Sequence, residues 1–240
     1  MTHLTTCVDA ETVARRASAE IARHLEATRA EHGVAHLALS GGGTPTRTYE
    51  LLAGEPVDWS GVEVWFADER CVPPDDPESN YRLASETLLG PAAIGSERVH
   101  RMEGELGPEE AARRYALALG DGVSRREGEL PVLDLIVLGI GPDGHVASLF
   151  PGAATLKAPQ QELCLGVWDA PKPPPERVTL SLAVLRAAER CLLLVTGAGK
   201  ADAVSAMLAE PSNHVPASLL RRERLTVIAD DAASPGPIDS

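Results

Sequence analysis

Apolar and polar positions along this chain follow two alternating rhythms. Val13, Ala17, Ile21 and Leu25 recur at a spacing of four, which is one face of an α-helix. With Asp9 as N-cap and Gly33 as stop, the spacing predicts a helix over about residues 10–31. Residues 34–39 are short and apolar but for His36, as in a buried strand, and end at Ser40. Thr44-Pro45 then opens a helix that closes at Leu51, Leu52 and Gly54, with Thr as cap and Pro at the first helical position. Val62, Val64 and Phe66 alternate as a second strand before Asp68-Glu69-Arg70. Residues 71–79 read as a Pro- and Asp-rich loop, 80–89 as a helix stopped by Gly90-Pro91, and Pro108 to about Leu119 as another. The most apolar run, 133–139, predicts a central strand. Further strands are expected at 163–168, 191–196 and 225–229, with helices over about 182–189 and 200–209.

Strands alternating with helices predict a mainly parallel α/β sheet. Neither an internal repeat nor an inter-domain linker interrupts the pattern, and the charged stretch 120–131 reads as a long connection. One domain over residues 1–240 is expected, with a tail from about 231, rich in Asp, Ser, Pro and Gly, that frays. Four polar or Gly-rich stretches directly follow apolar runs: Ser40-Gly41-Gly42-Gly43-Thr44, Asp68-Glu69-Arg70, Gly141-Pro142-Asp143-Gly144-His145 and Gly197-Ala198-Gly199-Lys200. If each run is a parallel strand, all four meet at the carboxyl edge of one sheet, where open α/β sheets bind ligands.

Composition narrows the partners. A net charge of −13 argues against nucleic acid, because phosphate neutralisation needs clustered Lys and Arg. An anionic small molecule would need local positive charge, which directs attention to Arg70, Arg177 and Lys200. Cys7, Cys71, Cys164 and Cys191 form no C-x-x-C pair, so a zinc site or disulfide framework is not expected, and a reduced cytoplasmic setting is the simple reading. The first residues lack a signal-peptide pattern, and no apolar run approaches the ~20 residues of a membrane span.

Each stretch carries candidate chemistry. Three glycines entering a helix let backbone N–H groups approach an anion, the helix N-terminus adds partial positive charge, and Thr44 can donate a hydroxyl hydrogen bond. The pattern is neither G-x-G-x-x-G nor a P-loop, so no dinucleotide follows, and a plain strand–helix turn is the competing reading. Lys200, in the first turn of a helix, opposes the macrodipole; it is either an exposed lysine or a second anion contact. His145, beyond an Asp-Gly turn signal, suits general acid–base work or is simply a turn histidine. Asp68 and Arg70 fit either a solvated loop or a site. Asn80 and Tyr81 can simply start a helix. Asp75-Asp76-Pro77-Glu78 lacks EF-hand spacing.

Taken together, Leu39 to Pro45, Trp65 to Arg70 with Ser79-Asn80-Tyr81, Gly139 to His145 running to Phe150-Pro151-Gly152, Pro171 to Thr179, and Gly197 to Lys200 resemble the 6-phosphogluconolactonases. The first and third segments are shared with glucosamine-6-phosphate deaminases. The Asp-Glu-Arg and proline-rich segments are more particular to the lactonases. The resemblance implies a doubly wound sheet with helices on both faces. It implies hydrolysis of 6-phospho-D-glucono-1,5-lactone, a sugar-phosphate substrate, without metal or organic cofactor. Apart from the resemblance, a monomer is expected, with a weak oligomer as the alternative. The resemblance further implies that Gly42, Gly43, Thr44 and Lys200 hold the phosphate. Arg70, Arg177 and Asn80 would contact substrate, and Asp68, Asp143 and His145 would lie near the lactone. The deaminases carry a glutamate five residues after this histidine, where this chain has Phe150. Two rivals stay open: a deaminase-like sugar-phosphate enzyme, and a non-catalytic phosphosugar sensor.

Overall fold

A computed structural model describes residues 2–124 and 130–235. The first helix, α1 (Ala10–His32), starts where the Asp9 side chain accepts the Thr12 N–H at 2.8 Å. It stops at Gly33, whose left-handed backbone lets its N–H bond Arg29 O. Val13, Ala17, Ile21 and Leu25 are all buried, so the spacing of four does mark the packed face.

The remaining elements, in chain order, are β1 (His3–Cys7), β2 (Ala35–Leu39), α2 (Gly43–Leu52), β3 (Val62–Phe66), β4 (Asp68–Arg70), α3 (Asn80–Ala84), α4 (Pro108–Gly122), β5 (Leu135–Gly139), β6 (Cys164–Val167), β7 (Arg177–Leu180), α5 (Leu182–Ala187), β8 (Arg190–Val195), α6 (Ala201–Leu208) and β9 (Leu225–Asp230). A single wide turn, Ser85–Leu89, extends α3 to the expected end.

Six strands form a wholly parallel sheet in the order β1-β9-β8-β5-β2-β3. Every residue of β2 and β9 is buried, as strands covered on both faces require. Helices α1 and α2 pack against each other over one face. On the other, Tyr115 of α4 meets Trp65 of β3 edge-on at 5.9 Å, and its hydroxyl receives the Phe66 N–H at 2.7 Å. The fold is therefore a doubly wound α/β sheet. From β2 the chain winds outward to β3. From β5 it winds the opposite way through β8 to β9. The strand order reverses between β2 and β5, and a crevice opens there at their carboxyl ends.

A second, antiparallel sheet in the order β4-β7-β6 stands beside the first. The chain passes from one sheet to the other at Ala67, whose N–H bonds Leu39 O and whose carbonyl accepts the Leu180 N–H, both at 2.8 Å. The strand expected at 163–168 belongs to this sheet. Asp68-Glu69-Arg70, read from sequence as a charged triplet after a strand, is itself a strand, and β7 had no expected counterpart. Edge strand β1 was also missed, because only Cys7 of its His-Leu-Thr-Thr-Cys sequence is buried.

The described end of the chain is held in place: Asp231 N–H bonds Cys7 O at 2.8 Å, and Ala233 is buried. Residues 236–240 of the expected tail, and 125–129 of the connection at 120–131, lie outside the described residues. No helix among the described residues is long and apolar enough to cross a membrane.

Candidate active site

The four stretches named from sequence follow β2, β3, β5 and β8, which are neighbours in the parallel sheet. They enclose a cavity of about 430 Å³. Its wall contains Gly42, Gly43, Thr44, Asp68, Arg70, Asn80, His145, Arg177 and Lys200. Of the site residues expected from sequence, only Asp143 is not part of the wall, and it is hydrogen-bonded to His145, which is.

The glycine-rich end is shaped by packing. Tyr49, one turn into α2, fixes the end of β2 from both sides: its hydroxyl donates to Ser40 O at 2.9 Å and accepts the Ser40 N–H at 3.1 Å. A Cβ at Gly41 would collide with the Asn80 side chain, so only glycine lets β2 and α3 approach this closely. No side chain caps the N-terminus of α2. Its first N–H groups face the cavity edge as a ready anion cradle. Thr44 and Thr196 share a hydroxyl hydrogen bond at 2.8 Å, tying the cradle to the end of β8. Lys200 ends the turn that leads into α6, and its Nζ donates to Ile140 O at 2.7 Å. Burial pushes the Lys200 pKa down, and the neighbouring positive charge of Lys172 pushes it the same way.

The opposite end is built around His145. Its Nδ1 lies 2.5 Å from Asp143 Oδ1. A hydrogen bond to a carboxylate places the proton on Nδ1 and leaves Nε2 as the basic lone pair. A Cβ at Gly141 would strike this imidazole, so glycine is required where the loop folds back under the ring. The His145 ring rests on Phe150, with centroids 4.7 Å apart. Burial lowers the His145 pKa below the ordinary 6.5; Asp143 pulls it back up, and Lys172 pushes it down. Burial opposes ionisation of Asp143, but the imidazole and its hydrogen bonds leave that carboxyl below the ordinary carboxylate range.

Asp68 is buried, and both its oxygens are held. Ser148 Oγ donates to Oδ2 at 2.7 Å, and Asn80 Nδ2 donates to Oδ1 at 3.2 Å. Asn80 is in turn placed by Glu69, which accepts the N–H groups of Arg70, Asn80 and Tyr81 and the Ser79 hydroxyl. Burial raises the Glu69 pKa against the pull of these four hydrogen bonds. Arg70 and Arg177 are direct cross-strand partners in the β4–β7 pair. Like charges opposite one another are unfavourable, and both guanidiniums border the same cavity. Arg70 Nη1 bonds Glu78 O at 2.7 Å, while its Nε is buried without a partner. Arg177 donates to the carbonyls of Lys172, Pro173 and Pro174 and sits over the Phe150 ring at 5.6 Å. Burial, then Arg70, lowers the Arg177 pKa.

This arrangement joins an anion cradle, paired cations and an oriented imidazole in one cleft at the switch point. The model of a family described as glucosamine-6-phosphate isomerases/6-phosphogluconolactonase matches residues 8–229. The chain belongs to that family. Among its relatives, the 6-phosphogluconolactonase of Streptomyces coelicolor is 36% identical over 238 residues, covering 94% of this chain and 91% of the relative. That of Mycobacterium tuberculosis is 35% identical over 240 residues, covering 95% and 96%. The solved structure of 6-phosphogluconolactonase from Trypanosoma cruzi superposes with a TM-score of 0.86 at 26% identity, covering 97% of this chain and 96% of that one.

Sequence reasoning missed several residues that the family's fold brings to this site. Lys172 lines the cavity from the segment read only as stiff and proline-rich. Ser148 and Thr196 hold Asp68 and Thr44 through contacts distant in sequence, which no local motif signals. Glu69 stood in view within Asp-Glu-Arg, but only its bonds reveal that it organises the turn at 79–81.

Proposed function

We propose that the protein is a cytoplasmic lactonase that hydrolyses 6-phospho-D-glucono-1,5-lactone to 6-phospho-D-gluconate, the second step of the oxidative pentose phosphate pathway. The names of the relatives support the substrate. The observation that carries the reading is the His145–Asp143 pair, with Nε2 free as a base, in a cavity whose far wall is cationic and glycine-rich.

A lactone ester needs an activated water, stabilisation of a tetrahedral oxyanion, and a proton for the departing ring oxygen. His145 Nε2 takes a proton from water as its oxygen adds to C1. The imidazolium then returns that proton to the ring oxygen as the C1–O bond breaks. Asp143 holds the ring and its tautomer and stabilises the imidazolium. Asp68, fixed by Ser148 and Asn80, adds negative charge near the same ring. Arg70, on the cavity wall, faces the sugar. At the other end the α2 N-terminus, Gly42, Gly43, Thr44 and Lys200 hold the phosphate, which orients C1 and lowers the entropic barrier. Arg177 gives the sugar phosphate a further cationic contact.

No step needs a metal, because imidazole supplies both base and acid; activity should survive exhaustive chelation, and loss restored by one divalent ion would contradict this. Against the deaminase alternative, an apolar Phe150 ring packs beside His145 where a proton-relay carboxylate would stand. The deciding experiment supplies purified protein with 6-phosphogluconolactone at pH 6–7, where spontaneous opening is slower, and separately with glucosamine 6-phosphate. Rapid lactone opening without ammonia release is expected. Ammonia release, or binding without turnover, would reject the proposal.

A further inference from the structure

Four cations line the cavity: Arg70, Lys172, Arg177 and Lys200. Lys172 differs from the others. Arg70 and Arg177 donate to backbone carbonyls, and Lys200 donates to Ile140 O. The ammonium of Lys172 has no hydrogen-bond or ion-pair partner among the described residues. Its backbone is nonetheless fixed, because its carbonyl accepts Arg177 Nη2 at 3.0 Å and the flanking prolines stiffen the loop. The side chain therefore lines the cavity from a rigid support.

Its charge reaches both ends of the site. The positive charge of Lys172 depresses Lys200 and also His145. Asp143 also bears on Lys200, but its carboxylate is engaged with His145. Two lysines thus face one space with no carboxylate paired to either, in a chain whose net charge is −13. Acidic residues to neutralise them are plentiful elsewhere in the chain, so this mutual repulsion is consistent with an anion that enters from outside. One lysine matches a singly charged anion. Two, together with a helix N-terminus, match a doubly charged one.

We propose that Lys172 is a second phosphate-binding residue: with Lys200 it forms a clamp across the cavity that selects the dianionic phosphate of the substrate. The inference rests on the lactonase reading above. The titratable groups facing this space are His145 and Asp143 from the loop after β5, Asp68 and Arg70 from β4, Arg177 from β7, and Lys200 from the turn after β8. A sugar phosphate becomes dianionic as pH rises through about 6. Wild-type KM should therefore fall across that range. Loss of Lys172 should flatten the fall, and it should shift the acid limb of kcat upward, because removing a nearby cation raises the His145 pKa.

The test compares wild type, Lys172→Ala and Lys172→Arg on 6-phosphogluconolactone and on gluconolactone. In parallel, calorimetry measures the binding of 6-phosphogluconate and gluconate. Lys172→Ala should raise KM for the phosphorylated lactone and weaken 6-phosphogluconate binding by roughly ten- to hundred-fold, the scale of a hydrogen bond to a charged group. Above the acid limb, gluconolactone kinetics should change far less than those of the phosphorylated lactone, and Lys172→Arg should recover most of the loss. Equal losses on both lactones, or unchanged 6-phosphogluconate binding in the alanine variant, would overturn the clamp. A wild type that binds 6-phosphogluconate through Lys172 but opens no lactone would leave the clamp standing and reject the function.

Discussion

Burial and Asp143 exert opposing effects on His145 that can be separated by pH. Burial lowers the His145 pKa below 6.5, and Asp143 raises it part of the way back. In the proposed mechanism neutral imidazole is the base, so activity should fall on the acid side with a midpoint below the ordinary 6.5. Asp143→Asn removes the carboxylate that favours the imidazolium. The acid limb should move to still lower pH, while kcat drops on the order of 10²–10⁴-fold because the ring loses its fixed tautomer. The pH–rate profile of the variant checks both; a limb that stays put or moves upward would show that Asp143 does not act through the ring. Lys200→Ala should reduce kcat/KM by roughly ten- to hundred-fold on 6-phosphogluconolactone and hardly at all on gluconolactone. Relief at the start of α6 favours the variant's stability, but the lost bond to Ile140 O offsets that gain. Comparable losses on both lactones would remove Lys200 from the phosphate site.

Single elements carry the site through a few buried bonds. Glu69, in β4, holds the start of α3 by accepting four donors, three of them backbone N–H groups. Glu69→Ala would strand those donors in a buried place, costing about 2–5 kcal/mol. A melting temperature lower by roughly 5–15 °C is expected. Activity should fall with it, since Asn80 would no longer be aligned on Asp68. Thermal unfolding and lactone hydrolysis measured on the same sample check this; a melting point within about 2 °C of wild type would contradict it. The same elements show what the sequence could tell. Runs such as 34–39 and 133–139 are apolar but for His36 and Asp134 because both faces of the parallel sheet are covered, so those strands and the loops after them were legible. The small sheet was less so. β4 is Asp-Glu-Arg, a strand made of charges that are buried only because Glu69 and Asp68 find donors from other elements. Nothing in a three-residue polar stretch announces that. The candidate site was legible where Gly-rich and charged residues follow strands. It was illegible where a residue contributes through a distant contact, as Ser148 and Thr196 do, or reaches the cavity from a proline-rich loop, as Lys172 does.

At the scale of the whole molecule, two features create the site. The reversal of strand order between β2 and β5 opens the crevice, and the second sheet closes one side of it with Asp68, Arg70 and Arg177. A chain of net charge −13 thereby gathers four cations around one cavity of about 430 Å³. In the proposed mechanism the glycine-rich end of this cleft orients the phosphate, and the His145 end reacts. That division of labour is tested most directly by kcat for 6-phosphogluconolactone in wild type and in His145→Ala, with 6-phosphogluconate binding measured on both proteins. The variant should keep its affinity within a few-fold and lose about 10²–10⁴-fold in kcat. A folded His145→Ala protein that opens the lactone at a near-normal rate would show that the catalytic base lies elsewhere.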